Sequence, residues 1–272
     1  PLTGIRMNAV ARWTVCSKSP LTGLWGECNI GGFFGAELKL AGYDGIVITG
    51  EADRPTYIYI DNDTVEIRDA HKYWGTDVYT VNDELIADNK GKSRKSGQVL
   101  TIGPAGENLV RFASIINNKG HVAGRTGMGA VWGAKKLKAI FVRGTGKLEI
   151  AYPDRLDSLR RELKELYTGN ITIEGLRAFG TASHMDIGII SGDIPIKNWQ
   201  QTDWELLDEI GPIAYSEKIL TKSRTCYACA VACKREAEVK EGPFKFDKGP
   251  GPEYETIATF GTMCLNSSME SI

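Results

Sequence analysis

The chain has 272 residues, 42% hydrophobic and 25% charged, enough for one large domain or two ordinary ones with real cores. Its 33 basic and 34 acidic residues are interspersed and leave a net charge of −1, which argues against nucleic acid or an anionic membrane as a partner. No apolar run reaches spanning length and no secretory leader is visible, and six cysteines, three of them clustered, suit a reducing cytoplasm better than a disulfide framework.

The chain opens on Pro1 rather than methionine and closes at Ile272 within a helix-like pattern, so a fragment of a longer protein is expected. Glycines concentrate in the first half and mark turns between strands. Strands are expected at 45–50 (GIVITG), 56–61 (TYIYID), 64–70 (TVEIRDA), 98–103 (QVLTIG) and 138–144 (KAIFVRG), all apolar or alternating at period two. Asn62 and Asp63 separate the second from the third and tolerate the positive φ of a tight hairpin. Residues 1–150 therefore read as a sheet-rich domain.

Two glycine-rich segments in this half, 29–45 (NIGGFFGAELKLAGYDG) and 123–140 (AGRTGMGAVWGAKKLKAI), place glycines just before helix-like or strand-like stretches. Backbone N–H groups exposed in such turns can approach an anion closely. Neither segment has the G-x4-G-K-[ST] of a P-loop. Arg12, Arg125, Lys135, Lys136 and Lys138 accompany them, so they could cradle a phosphorylated cofactor. A solvated surface accounts for the lysines equally well, and Arg12 and Arg125, beside small residues, are the stronger candidates.

After Ala151 the texture becomes helical. Leucines at 156, 159, 163 and 166 in PDRLDSLRRELKELY recur at three and four behind Pro153 and Asp154, which predicts an amphipathic helix packing its leucine face on a core. Trp199 and Trp204 belong to a loop packed on the surface, and a further helix is expected at 214–221. Residues 234–248 read as an exposed charged insertion, and 256–268 (TIATFGTMCLNSS) as an apolar helical stretch. Residues 151–272 thus form a mainly helical domain, and the fold class is α+β.

The chemical signal is CYACAVAC, with Cys226, Cys229 and Cys233 spaced C-x2-C-x3-C. Two residues between cysteines let one turn aim both sulfurs at a common point, and the third follows about one helical turn later. Structural zinc and an iron–sulfur cluster both take four such ligands, and the spacing is common to both. No second C-x2-C or His-x3-His pair exists elsewhere, so a ligand from farther away is the better reading than a closed local zinc finger. Cys264 could complete the set or be a buried structural thiol, and Cys16 and Cys28 read as interior cysteines.

In order, PLTG, SKSPLTG, NxGGxFGAELKxAGYD, TIGPAGENLVRFASI, AGRxGxGAVxGxKxLKAI, CYACxxxC and GPEYET resemble the aldehyde ferredoxin oxidoreductases over nearly the whole chain. The resemblance implies a tungsten or molybdenum atom held by the dithiolenes of two pterins (tungstopterin or molybdopterin), a magnesium ion joining the pterin phosphates and one [4Fe-4S] cluster. It implies a β-sheet base cradling the pterins, with helical domains closing over it. Aldehydes are then oxidised to carboxylic acids and the electrons passed to ferredoxin, in the cytoplasm and under anaerobic metabolism, by a homo-oligomer or a complex with electron-transfer subunits. The fragment then lacks its start and its C-terminal half.

By the same resemblance Cys226, Cys229 and Cys233 are cluster ligands, the fourth cysteine lies in a distant segment, and Cys264 is not the missing one. Arg12 lies between cluster and pterin, where a guanidinium can hydrogen-bond to both. Asn29 lies near the magnesium, Gly31 and Gly32 form the adjoining pterin turn, and Val122 (through its carbonyl), Gly124 and Arg125 form the second phosphate-binding turn. His121 stands where the family often has arginine, and is either a cofactor contact or a surface histidine. His71 and His184 match no functional position. Glu255 is expected to transfer a proton or orient water, with Glu253 as the alternative. Competing readings are a family relative acting reductively or on an acyl-CoA substrate, a non-catalytic iron–sulfur electron-transfer protein and a structural zinc module.

Overall fold

The structure, a computed structural model, describes residues 2–90 and 96–272. The chain divides into two compact units, Pro1–Pro153 and Asp154–Ile272. The first contains strands β1 (Trp13–Lys18), β2 (Trp25–Ile30), β3 (Thr56–Asp61), β4 (Thr64–Asp69), β5 (Gln98–Thr101), β6 (Ile115–Asn117), β7 (His121–Ala123) and β8 (Leu137–Arg143). Its helices are α1 (Phe34–Leu40), α2 (Val78–Asp88), α3 (Pro104–Glu107) and α4 (Met128–Ala134).

Six strands form one sheet in the order β4-β3-β8-β5-β6-β7, with only the β3–β8 pair parallel. The central β8 is buried along its whole length because side chains leave it toward a core on each face, so its sequence is a nearly continuous apolar run. Ile140 and Val142 join Phe34, Leu100, Ile115, Met128 and Trp132 on one side, whereas Ala139 and Phe141 join Tyr57, Tyr59, Val81 and Leu85 on the other. Helix α2 closes that second core, its start fixed by Asp77, which accepts from the Tyr79 and Thr80 amides at 2.8 and 3.1 Å. The β3–β4 hairpin turns on Asn62, at φ 50°, as the Asn-Asp pair predicts.

Strands β1 and β2 make a separate antiparallel ribbon. Trp13, Val15, Cys28 and Ile30 belong to or pack on the first core, and Thr14, Cys16, Glu27 and Asn29 are exposed on the alternate face. Cys16 is therefore a surface thiol and not the interior residue expected, while Cys28 is buried as expected. Residues 45–50 also depart from expectation. They pair in no ladder among the described residues, although Ile46 and Ile48 pack on the core and Val47 is 91% exposed. The period-two pattern reports alternate burial correctly, but a strand also needs a neighbouring backbone.

The second unit holds α5 (Pro153–Tyr167, beginning at the unit boundary), α6 (Ile171–Phe179), α7 (His184–Ser191), α8 (Pro212–Lys218) and α9 (Tyr254–Phe260), with a sheet of β9 (Leu220–Arg224), β10 (Lys234–Val239) and β11 (Phe246–Pro250) in the order β11-β10-β9. The expected charged insertion is mostly β10 and β11, with Arg235, Glu236 and Ala237 buried, because Glu236 pairs with Lys222 and Arg224 of β9 and Arg235 donates to backbone carbonyls. The helix expected at 214–221 stops at Lys218, and the chain enters β9. The stretch 256–268 breaks at Gly261, where α9 ends, so Cys264 lies exposed in a following 3₁₀ turn.

Helix α5 forms where periodicity places it, but none of its residues is buried and Leu159 and Leu166 are 41% and 62% exposed. Its leucine face is not packed on a core as expected. The core of this unit instead gathers Met185, Ile196, Ile210, Tyr215 and Ile257, with Trp204 against it and Trp199 exposed. No helix among the described residues is long and apolar enough to cross a membrane.

Candidate cofactor and cluster site

In the first unit the two glycine-rich turns meet. The first leaves β2 through Gly31 and Gly32 into α1, with Gly32 at φ 90°. A Cβ on Gly32 would lie 2.5 Å from Asn117 Nδ2 and 2.9 Å from the His121 ring, so only glycine fits. Asn117 Nδ2 donates to the Gly31 carbonyl at 3.2 Å, and the Phe33 amide donates to Asn118 Oδ1 at 3.2 Å. Two consecutive asparagines at the β6–β7 connection thus staple the backbone on both sides of Gly32. Sequence reading missed both residues, which stand 86 and 85 positions from their partners.

The second turn follows β7. Val122, Gly124 and Arg125 are exposed, and Thr126 and Gly127 adopt φ 63° and 73° before α4. A Cβ on Gly26 of β2 would meet Thr126 Cβ at 2.9 Å, and one on Gly127 would meet the Arg111 carbonyl at 2.0 Å. The second turn therefore lies against β2, whose exposed Asn29 donates to Thr14 Oγ1 at 3.4 Å. Arg12 is exposed at the entry to β1, where its carbonyl accepts from Thr3 Oγ1 at 2.5 Å. His121 is 9% exposed in β7, a buried residue and not a surface histidine.

Helices α1 and α4 have seven residues each, so an anion here would be held by turn amides and Arg125 more than by a helix dipole. The lysines are used elsewhere. Lys135 Nζ donates to the Gly50 carbonyl at 2.7 Å and Lys136 pairs with Glu51 at 3.0 Å. Lys138 is fully buried and paired with Glu107, and burial pulls its pKa down. It is neither solvated nor available to a phosphate.

In the second unit all three clustered cysteines lie in the loop 225–233 between β9 and β10, an irregular turn with no helical segment after Cys229. The Cys229 amide donates to the Cys226 carbonyl at 3.3 Å, and Thr225 Oγ1 donates to the carbonyls of Cys226, at 2.9 Å, and Cys229. Ala228 and Ala232, immediately before Cys229 and Cys233, sit at φ 51° and 53°. Left-handed alanines cost about 1–3 kcal/mol each and cluster at functional sites. Burial pushes the Cys233 thiol up, and Glu253, Cys226 and Cys229 push it further. The thiols are thus near neighbours, half-buried and unbridged, although among the described residues no three His, Cys, Asp or Glu side chains close to ligating distance.

Glu253 borders this loop. Its carboxylate pairs with Lys234 at 2.8 Å and accepts from Thr181 Oγ1 at 2.8 Å, while Thr181 Oγ1 also accepts from the Tyr254 amide at 2.9 Å. Glu255, in the first turn of α9, is exposed. His71 and His184 face Asp69 and Asp193 on the surface, at 2.9 and 3.2 Å.

Residues 1–144 match the family model described as aldehyde ferredoxin oxidoreductase, N-terminal domain, and residues 158–272 match aldehyde ferredoxin oxidoreductase, domains 2 & 3. The chain belongs to the aldehyde ferredoxin oxidoreductase family. It is 40% identical, over its full length, to the tungsten-containing aldehyde ferredoxin oxidoreductases of Pyrococcus horikoshii and Thermococcus kodakarensis, covering 44% of each. It is also 37% identical, over 96% of its length and 43% of the relative's, to an aliphatic sulfonate oxidoreductase, WOR-like subunit, of Pyrococcus furiosus. Among solved structures the active-site complex BamBC of benzoyl coenzyme A reductase, bound to 1,5-dienoyl-CoA, superposes with a TM-score of 0.81 at 29% identity, covering 99% of this chain and 42% of that one. The chain therefore spans less than half the length of the relatives it matches, within a family of oxidoreductases.

Proposed function

We propose that this chain is the cofactor-bearing part of an enzyme that oxidises aldehydes to carboxylic acids and delivers the electrons to ferredoxin or another iron–sulfur acceptor in the cytoplasm. The observation that carries the proposal is the stapled first glycine turn with the second turn packed on β2 in one unit, and the three-cysteine hairpin loop in the other. Turns where a Cβ would overlap a neighbour fit backbone amides pressed against phosphates. Three thiols on one short loop, two of them directly after left-handed alanines, fit a cluster. When bound, a tungsten or molybdenum centre held by two pterins would supply two-electron acceptance, and a [4Fe-4S] cluster would release those electrons singly.

The chain's own residues bind, orient and move protons. Cys226, Cys229 and Cys233 would hold iron as thiolates, so cluster assembly has to remove the proton that burial favours on Cys233. Gly31, Gly32, Val122, Gly124 and Arg125 would hold pterin phosphates, with Asn29 beside their magnesium and His121 supporting Gly32 from within the sheet. The Arg12 guanidinium would hydrogen-bond to pterin. Oxidation to an acid adds a water-derived oxygen and sheds protons, for which the Glu255 carboxylate would be the acceptor. The Glu253 carboxylate is already held by Lys234 and Thr181, whereas Glu255 is exposed on α9, which favours Glu255.

Elemental analysis of the intact protein purified without air, with aldehyde-dependent viologen reduction, tests the proposal. Tungsten or molybdenum with iron and dye reduction are expected, whereas zinc alone, or iron without either metal, would leave a structural module or an electron carrier. The likeness to a dienoyl-CoA complex supports a second reading, reductive work on an acyl-CoA. Dye oxidation with an aromatic acyl-CoA but no dye reduction with aldehydes would select it.

A further inference from the structure

We infer that Arg235 is the buried counter-charge of the cysteine loop, a positioning residue that fixes the loop's exit and raises the reduction potential of the cluster it holds. The inference rests on the iron–sulfur reading above. Arg235 is 3% exposed in β10, two residues after Cys233. One terminal nitrogen donates to the carbonyls of Ala232 and Lys234, at 2.9 and 3.0 Å, and to Ser223 Oγ at 3.1 Å. The other donates to the carbonyls of Leu176 and Arg177 in the last turn of α6, at 3.0 and 2.8 Å. One side chain therefore ties the left-handed Ala232, and with it Cys233, to a helix end. Arg235 Nε is buried without a hydrogen-bond partner. A Cβ on Gly180 would meet it at 3.2 Å and the Cys233 carbonyl at 2.7 Å, so the guanidinium and the cysteine backbone share one glycine-lined space.

All of these acceptors are neutral. Among the described residues no carboxylate forms an ion pair with Arg235, because Glu236 is committed to Arg224 and Lys222 and Glu253 to Lys234. A buried guanidinium without an anion is costly, and a neutral donor could hold the same carbonyls. The missing negative charge is at hand in the loop, where thiolate ligation makes a cluster anionic. Reduction adds one more negative charge, which a cation in a low-dielectric setting stabilises, so the potential rises.

Two variants of the intact holoenzyme separate charge from scaffold. Arg235→Lys keeps the charge and loses the planar fork, whereas Arg235→Gln keeps a donor to the loop carbonyls and loses the charge. EPR-monitored redox titration, with iron content measured on the same samples, is expected to give a midpoint for Arg235→Lys close to the parent's and a clearly more negative one for Arg235→Gln. Equal midpoints in both variants and the parent would overturn the inference, as would equal loss of iron from both variants with far-UV circular dichroism unchanged. A parent protein whose reduced form shows no cluster signal would remove the iron–sulfur reading itself, and is distinguishable because it precedes any variant.

Discussion

At the scale of single residues, the asparagine staple and Gly32 make opposite predictions about mechanism and the same prediction about outcome. Gly32→Ala forces a Cβ into Asn117 and the His121 ring at a left-handed φ, and should cost about 1–3 kcal/mol of stability. Asn117→Ala leaves space but removes the donor to the Gly31 carbonyl, at a cost of about 1 kcal/mol. Both should lower pterin content, measured by fluorescence of the released, oxidised pterin, with iron unchanged. Pterin retained at the parental level in both would detach this turn from the cofactor. The glycine was legible in sequence because its backbone needs are local, but the asparagines were not, since nothing near them indicates a partner more than eighty residues away.

At the scale of elements, charge placement inside the large sheet sets stability. The Arg143 guanidinium, at the end of β8, hydrogen-bonds the Asp61 carboxylate of β3 and holds its pKa below the usual range, and Tyr59 adds to this. A depressed carboxyl contributes stability that is complete above its unfolded pKa of about 4 and disappears as pH falls through the lower folded value. Asp61→Asn should therefore cost about 1.5–3 kcal/mol at pH 7 and flatten the loss of melting temperature between neutral and strongly acid pH. An unchanged acid slope would show that the pair does not persist in solution. The β-bulge in β8 that sets Lys138 opposite no residue of β3 delivers that lysine to Glu107. Lys138→Met should destabilise the first unit by about 3–5 kcal/mol, because Glu107 is then buried unpaired, with urea unfolding as the measurement.

At the scale of the whole molecule, the proposed pterin turns and cluster loop lie in different units, so their roles separate by mutation. Arg12→Met should slow cluster reduction by aldehyde, followed by stopped-flow absorbance, with tungsten and iron contents intact. Cys229→Ser should abolish the cluster EPR signal, and an unchanged signal would remove Cys229 as a ligand. Glu255→Gln should lower turnover by about 10²-fold with both cofactors bound. Full activity in that variant, with a loss in Glu253→Gln, would move the proton acceptor to the residue beside Cys233.

The sequence by itself determined the α+β class, the family and the strands expected at 56–61, 64–70, 98–103 and 138–144, which the structure places at 56–61, 64–69, 98–101 and 137–143, because period-two patterns and turn chemistry are local properties. It determined the cysteine spacing for the same reason. Tertiary structure decided everything that depends on a second backbone or a distant side chain. Residues 45–50 alternate like a strand yet pair with nothing described, and α5 is amphipathic yet buries none of its leucines. Lys138, read as a cofactor contact or a solvated lysine, and Arg235 and Glu236, read as exposed, are all buried, because groups from other elements pair with or accept hydrogen bonds from them. Burial and pairing are properties of packed neighbours, and period alone cannot specify who those neighbours are.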